Sequence, residues 1–195
     1  MEKKIIRLKE VDSTNHFLKE LSSYDETALT IAVADFQTAG RGQGTHTWES
    51  EEGKNLLFSM LACPVWVPVR QQFLLSEVGA LAIKDALDSY ADGFTLKWPN
   101  DVYWNDRKIS GTLIETSIDS RGIKRCIFGI GININQMEFR SDAPNPVSLA
   151  QILGHEVDRE EVLQKVIEAF CRYYELLRRA DYMDVSGIYH LSLYR

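Results

Sequence analysis

The pattern of hydrophobic and polar positions predicts strands and helices that alternate irregularly along the chain. Apolar or β-branched runs predict strands at Ile5–Val11, Ala28–Phe36, Asn55–Ala62, Phe94–Lys97, Val102–Trp104, Lys108–Ser117 and Lys124–Ile134. Apolar residues at helical spacing predict helices after Asp12–Asn15, from Pro68 to Leu87, over Ser148–Leu153 and from Asp158 to Leu177. Strands cluster centrally without strict βαβ alternation. We therefore expect an α+β fold, in which helices pack against a mixed, largely antiparallel sheet.

Composition and charge argue against several classes of protein function. The chain has 195 residues, of which 45% are hydrophobic and 26% charged, as is ordinary for one globular domain. A net charge of −6 argues against a general nucleic-acid-binding protein. No apolar run approaches the length of a membrane span. Three widely spaced cysteines without a CxxC pair indicate a reducing, cytoplasmic location and no protein metal cluster.

A long polar loop follows the second predicted strand and is rich in glycine. Residues 37–44 read Gln-Thr-Ala-Gly-Arg-Gly-Gln-Gly. Glycines let backbone N–H groups approach an anion, and Arg41 adds a fork of donors. The segment is neither a P-loop nor a dinucleotide fingerprint, because its glycine spacing and following residues differ from both. A flexible surface hairpin is the alternative interpretation.

A second unusual segment, Lys97-Trp98-Pro99-Asn100-Asp101, places a cation, an aromatic ring and short polar side chains in one turn. Its simpler interpretation is a proline-stiffened turn, but its side chains also suit contacts to phosphate and metal. Lys108 follows at the start of a strand. Gly111, Gly129 and Gly131 lie inside neighbouring predicted strands, where glycines often mark close approach of a ligand. These strands could form a flat floor for a thin ligand.

Three other features have mainly structural interpretations. Asp12-Ser13-Thr14-Asn15 is most simply a helix N-cap, which is compatible with a ligand role because helix N-termini present N–H donors. His46 is interpreted as a solvated loop residue. Glu115 is interpreted as a structural strand residue. We assign neither of the last two as a catalytic base.

Taken in order, these segments resemble the motifs of biotin–protein ligases, also called biotin–[acetyl-CoA-carboxylase] ligases. The resemblance covers nearly the whole chain and rests on Asp12–Asn15, Gln37–Gly42, Trp48, Lys97–Asp101, Lys108–Glu115 and Gly129–Asn133. It implies the catalytic domain shared with lipoate ligases and related to class II aminoacyl-tRNA synthetases. It also implies two half-reactions: biotin and Mg-ATP give biotinyl-5′-AMP, and biotin then passes to a lysine of a biotin carboxyl carrier protein.

The resemblance also implies roles for individual residues. Arg41 and Lys108 are the expected catalytic residues, near the biotin carboxylate and the ATP α-phosphate. The expected biotin-binding residues are Ser13, Thr14, Asn15, Gln37, Gly40, Arg41, Gly42, Lys108 and Gly111. The expected ATP-binding residues are Arg41, Gln43, Trp48, Lys97, Asn100, Asp101 and Asn133, with Trp48 stacking on adenine. Magnesium is expected to arrive with ATP rather than at a protein metal cluster.

Two departures from the family pattern stand out. Many members carry a second arginine where this chain has Gln43, which predicts weaker retention of biotinyl-AMP. The resemblance assigns residues 1–182 to the catalytic domain and 183–195 to a C-terminal segment, so the SH3-like domain common in the family is expected to be absent or truncated. The first strand begins by Ile5, so an N-terminal DNA-binding module, and hence nucleic-acid binding, is not expected. A homodimer is left open.

Two alternatives to a biotin ligase remain at this point. One is a lipoate or octanoate ligase on the same fold, whose glycine-rich and histidine-bearing signatures are absent here. The other is a non-catalytic module that senses biotin or a nucleotide. The paired cations Arg41 and Lys108 argue against the latter, because a sensor of neutral ring groups does not need a phosphate clamp.

Overall fold

The computed structural model describes residues 1–44, 46–140 and 145–194. Thr45 of the glycine-rich loop and Arg195 of the C-terminal segment therefore lie outside the described residues. The described strands are β1 (Lys3–Val11), β2 (Leu29–Gln37), β3 (Leu56–Ala62), β4 (Phe94–Lys97), β5 (Asp101–Trp104), β6 (Arg107–Asp119) and β7 (Gly122–Ile132). The described α-helices are α1 (Thr14–Lys19), α2 (Phe73–Asp88), α3 (Leu149–Leu153), α4 (Arg159–Arg178) and α5 (Tyr182–Leu191).

All of these strands belong to one sheet with the order β1-β2-β3-β7-β6-β5-β4. Only β1 and β2 pair in parallel, and every other neighbouring pair is antiparallel. The expected mixed, largely antiparallel sheet is therefore confirmed, and β4, β5, β6 and β7 form an antiparallel meander within it.

The two faces of the sheet are covered differently. On one face, side chains such as Phe58 and Phe128 join a large core with α2 and α4. On the other face, alternate residues such as Leu61 and Ile127 pack beneath Leu18 of the short helix α1. Because α1 has only six residues, it covers only the lower part of this face. The part around the paired Gly111 and Gly131 is left for other groups.

The helices of the structure differ from the predicted ones at two points. The second helix was expected to begin at Pro68, but Pro68 has an extended ψ of 134°, a short 3₁₀ turn covers Val69–Gln71, and α2 begins at Phe73. Helix α5 was not predicted. It lacks a capping side chain at Asp181 and buries only Val185 and Tyr189, so its periodicity in the sequence is weak.

The chain beyond α4 packs closely against the edge of the sheet. Leu193 forms a parallel bridge with Leu96 of β4, and the Tyr189 hydroxyl donates to the carbonyl oxygen of Pro99 at 2.8 Å. The turn at residues 97–101 is therefore braced by α5 from behind. None of the described helices is both long and apolar enough to cross a membrane.

Candidate active site

A cavity of about 700 Å³ opens on the face of the sheet that α1 leaves partly uncovered. It contains most of the residues expected at a site, brought together from separate parts of the chain. These are Ser13, Thr14, Asn15, Gln37, Arg41, Gly42, Gln43, Trp48, Asp101, Lys108, Gly111 and Asn133. Arg41 and Lys108 thus share one cavity, although 67 positions of sequence numbering separate them.

One end of the cavity is neutral and largely buried. The amide oxygen of Gln37 accepts from the backbone N–H of Thr14 at 2.8 Å, and the Thr14 hydroxyl lies 3.0 Å from the same oxygen. The Thr14 hydroxyl also lies 2.6 Å from the hydroxyl of Ser59, which donates to Asn15 Oδ1 at 2.6 Å. We call these four residues, Thr14, Asn15, Gln37 and Ser59, the ring-end network.

Because each hydroxyl has a single proton, the groups of this network that donate and those that accept can be assigned. Asn15 Oδ1 can only accept, so Ser59 uses its single proton there and can accept only from Thr14. The single Thr14 proton is therefore spent on Ser59 or Gln37, within the protein. Toward the cavity Thr14 presents an acceptor oxygen. Gln37 Nε2 has no acceptor among the described residues. Gln37 therefore presents a donor to the cavity, beside the acceptor oxygen of Thr14.

Ser13 caps α1, as the sequence predicted. Its side chain accepts from the His16 backbone N–H at 3.5 Å, which leaves its hydroxyl proton available as a donor. Asp12 and His16 bond to each other through their side chains, and this contact holds the pKa of the Asp12 carboxyl below its usual value. The start of α1 is therefore held by its own side chains while Ser13 and Thr14 line the cavity.

The other end of the cavity is charged. Lys108 Nζ donates to Asp101 Oδ2 at 2.6 Å, and both side chains are about one quarter exposed. Arg41 Nη1 lies 3.8 Å from Glu115 Oε1, and the Arg41 side chain is 54% exposed. Each expected catalytic cation therefore has a carboxylate neighbour, and the lysine pair is much tighter than the arginine pair. We call this group the anion end.

The two expected floor strands do meet, and the structure places an aromatic ring on them. Gly111 and Gly131 are directly paired across β6 and β7. A Cβ on Gly131 would lie 2.6 Å from Trp48 Nε1, and one on Gly111 would lie 3.1 Å from the same ring and 3.3 Å from Lys108 Nζ. The floor predicted for a thin ligand is thus occupied by Trp48, whose indole N–H is buried without a hydrogen-bond partner among the described residues.

Three expected site residues are not among those that line the cavity. Lys97 is exposed and lies 4.8 Å above the ring of Tyr103, which does line the cavity. Gly40 is buried, and its carbonyl oxygen accepts from the Trp48 backbone N–H at 3.0 Å. Asn100 is buried, and its amide is already bonded at both ends, to Thr112 and Gln43. The direct ligand contacts of these three residues stay predictions. In the structure each of them contacts a residue that lines the cavity.

Gln43 connects two of the sequence motifs. Its Nε2 donates to Asn100 Oδ1 at 3.1 Å, while Asn100 Nδ2 donates to the Thr112 carbonyl oxygen on β6. The glycine-rich loop is thereby tied to the turn at residues 97–101. Gln43 was expected to bind ATP with one charge fewer than an arginine would, and the structure shows that it also links the two motifs by a hydrogen bond.

Ser59 was not expected at the site, and Glu115 was expected to have only a structural role. Ser59 is fully buried, and it is the one polar residue of β3, whose sequence is Leu-Leu-Phe-Ser-Met-Leu-Ala. A lone hydroxyl in a buried strand requires a partner, so this was a usable signal. Glu115 gave no comparable signal, because acidic residues are common on strands with one partly open face.

Comparison with known proteins places the chain in a class. Residues 8–133 match the model of the biotin/lipoate A/B protein ligase family. This match covers more than half of the chain, and the chain belongs to that family.

Within the family, the chain is most usefully compared with biotin ligases. It is 33% identical over 179 residues to the bifunctional ligase/repressor of Bacillus spizizenii, covering 89% of this chain and 53% of that protein. It is 34% identical over 174 residues to the biotin–[acetyl-CoA-carboxylase] ligase of Paracoccus denitrificans, covering 85% and 71%. The chain spans about half the length of the first curated relatives it matches.

A solved structure agrees with these sequence matches. The biotin protein ligase of Aquifex aeolicus in complex with biotin and ATP superposes with a TM-score of 0.84 at 35% identity. The superposition covers 97% of this chain and 78% of that one. The described fold is therefore that of biotin protein ligases.

Proposed function

We propose that this chain uses ATP to activate biotin as biotinyl-5′-AMP and then transfers biotin to a lysine of a biotin carboxyl carrier protein. The observation that carries the proposal is that Arg41, Lys108, Thr14 and Gln37 line one cavity. The family match and the similarity to biotin ligases support the same activity.

The neutral end suits the ureido ring of biotin. That ring offers two N–H donors and one carbonyl acceptor. Thr14 presents an acceptor oxygen, whereas Gln37 Nε2 and the Ser13 hydroxyl are donors. A buried site with fixed donors and acceptors discriminates strongly against ligands that leave those groups unpaired. Lipoate, whose dithiolane ring has no N–H group, would leave the Thr14 acceptor unpaired.

The charged end suits the chemistry of adenylation. A carboxylate must attack the α-phosphorus of ATP, and both groups are anionic. Two unit charges 4 Å apart repel by about 4 kcal/mol at an effective dielectric constant near 20. Arg41 and Lys108 would offset this repulsion and stabilise the charge on the phosphoryl oxygens in the transition state. Both side chains are charged and partly exposed, so bound anions can reach them.

Asp101 supports the role of Lys108. Its carboxylate holds Lys108 Nζ at 2.6 Å over Gly111, so the ammonium group does not sample other rotamers freely. Trp48 lies on the same glycines and would stack on adenine from there. Magnesium would enter bound to the ATP phosphates. The described residues include no group of three His, Cys, Asp or Glu that could hold a metal ion.

The assay for this proposal is incubation with ATP, magnesium and biotin, followed by mass analysis for biotinyl-AMP and measurement of pyrophosphate release. Lys108→Ala should reduce pyrophosphate release at least about 100-fold, because it removes a cation aimed at charge in the transition state. Lys165→Ala is the matched control, since Lys165 is ion-paired on α4 and lies outside the cavity.

The absence of biotinyl-AMP in the wild-type reaction would reject the proposal. Normal adenylation by Lys108→Ala would leave the proposed activity in place but would remove that lysine from the mechanism. Competition between biotin and lipoate in the same assay separates the two ligase activities of the family, and biotin is expected to dominate. A cytoplasmic location remains a prediction from the isolated cysteines.

A further inference from the structure

Glu115 does not itself line the cavity, but its carboxylate contacts one lining residue at the neutral end and one at the charged end. It lies on β6, two residues beyond Leu113, and its side chain is about one quarter exposed. One carboxylate oxygen, Oε2, accepts from Asn15 Nδ2 at 2.9 Å. The other oxygen, Oε1, lies 3.8 Å from Arg41 Nη1. The carboxylate is thus held on one side by a buried amide and faces the expected catalytic arginine on the other.

Asn15 holds Glu115 from a rigid position. Its amide lies across three adjacent strands at the level where Ser59, Gly129 and Leu113 are paired. It accepts from Ser59 on one side and donates to the Leu113 carbonyl oxygen and to Glu115 on the other. A Cβ on Gly129 would overlap this amide, so the absence of a side chain there is what allows Asn15 to lie flat.

These contacts change the interpretation of Asn15. Its expected contact with biotin stays a prediction, and both ends of its amide are also bonded within the protein. These bonds make Asn15 the support that fixes the Glu115 carboxylate. A continuous series of side-chain contacts runs from Gln37 to Arg41 by way of Thr14, Ser59, Asn15 and Glu115.

The contact between Glu115 and Arg41 is loose. At 3.8 Å it is an ion pair without a hydrogen bond, and the arginine is more than half exposed. Lys108 and Asp101, in contrast, are hydrogen-bonded at 2.6 Å. A loose pair exchanges easily, so an incoming anion can take Arg41 from Glu115. The carboxylate stays nearby because Asn15 holds it, and its charge continues to oppose the bound anion.

Resting on the proposed function, we propose that Glu115 is a positioning residue that serves as a fixed counter-ion for Arg41 and thereby weakens the retention of anionic ligands. Its negative charge, rather than its shape, sets how tightly the cavity holds the carboxylate of biotin or the phosphate of a nucleotide. Such a device would favour turnover, because the activated intermediate must leave Arg41 when biotin is transferred.

The test is Glu115→Gln, which removes the charge and keeps an oxygen that can accept from Asn15. Isothermal titration should compare two pairs of ligands, each with one anionic and one neutral member: biotin with biotinamide, and AMP with adenosine. The variant should bind biotin and AMP about three- to tenfold more tightly. Its affinity for biotinamide and adenosine should not change. Glu26→Gln is the control for net charge, since Glu26 pairs with Arg121 outside the cavity.

The ligand pairs separate this inference from the proposed function. A structural role for Glu115 would change the affinity for charged and neutral ligands equally, and that result would overturn the inference. Unchanged or weaker binding of both anions would also overturn it. If wild-type protein binds AMP but not biotin, the proposed function fails. Tighter AMP binding by Glu115→Gln would still support the inference in that case.

Discussion

The ring-end network and the anion end belong to one cavity, but the first consists of neutral hydrogen-bonded groups and the second of charged groups. The first is neutral and rigid, and its Thr14, Asn15 and Ser59 are each no more than 5% exposed. The second is made of ion pairs between partly exposed side chains, one of them on a glycine-rich loop. Rigid neutral groups provide selectivity, because leaving one unpaired is costly. Exchangeable ion pairs let an anion enter and leave.

The largest effect is expected from Gly129→Ala, which should disrupt hydrogen bonds of the ring-end network. The added Cβ would overlap the Asn15 amide and push it away from Ser59 and Glu115. We expect biotin affinity to fall at least about tenfold, because one or more buried hydrogen bonds are lost. Titration with biotin and thermal unfolding would measure the two consequences.

The control for that substitution is Gly187→Ala on α5, where an added Cβ meets no atom within 4 Å. It should leave biotin affinity unchanged. Normal biotin binding by Gly129→Ala would show that the neutral end is not rigid, and the contrast between the two ends would fail.

A smaller effect is expected at the anion end from Gln43→Arg. Arginine can still donate to Asn100 Oδ1, as Gln43 does at 3.1 Å, and it adds a positive charge to the cavity. Dissociation of biotinyl-AMP should slow about three- to tenfold. Stopped-flow or filter-binding measurement of adenylate release would test this.

Gln71→Arg adds the same charge outside the cavity and serves as the control. An unchanged dissociation rate in Gln43→Arg would mean that charge at this position does not govern retention. Faster dissociation would mean that the hydrogen bond to Asn100 matters more than charge.

The smallest effect concerns a buried carboxyl that lies outside both ends. Glu77 on α2 accepts from the Ser186 hydroxyl at 2.7 Å, and burial raises the pKa of its carboxyl. The folded protein therefore holds this proton more firmly than the unfolded chain does. Stability from Glu77 is fully present below the ordinary pKa of 4.5 and is lost as pH rises through the raised value.

Glu77→Gln removes this pH dependence while keeping an acceptor for Ser186. Its melting temperature should exceed that of the wild type by roughly 2 °C near pH 7, and the two should converge at about pH 4. Calorimetry at both pH values would measure the difference. An equal gain at both would show that the carboxyl charge is not the cause. Adenylation should be unaffected, because Glu77 does not line the cavity.

Local chemistry explains which parts of the fold could be predicted. The strands of the meander were correct because alternating apolar residues and short turns act over a few residues. The cap at Ser13 was also correct, for the same local reason. Helix α5 was missed because its contacts, such as Tyr189 with Pro99, are made to a segment 90 residues away.

The site residues divide in the same way. Arg41 and Gln37 were expected at the site because they lie in a glycine-rich loop of unusual composition, and Lys108 was expected there from the resemblance to biotin–protein ligases. The supporting roles of Asn15 and Asn100 could not be foreseen, since each depends on partners from strands that are distant in the sequence. The buried hydroxyl of Ser59 indicated that it has a partner, but not which one. A motif shows that a residue is polar and well placed, but not whether its polar atoms are already used.

By itself, the sequence determined the order of the elements, the glycines of β6 and β7 and the presence of two cations in conspicuous motifs. Only the tertiary structure decided that Trp48 lies on those glycines and that Glu115 stands between Asn15 and Arg41. The physical reason is that secondary structure follows from neighbours along the chain. The pairing of buried polar atoms and charges depends on strand order and register, which bring together side chains that no local pattern connects.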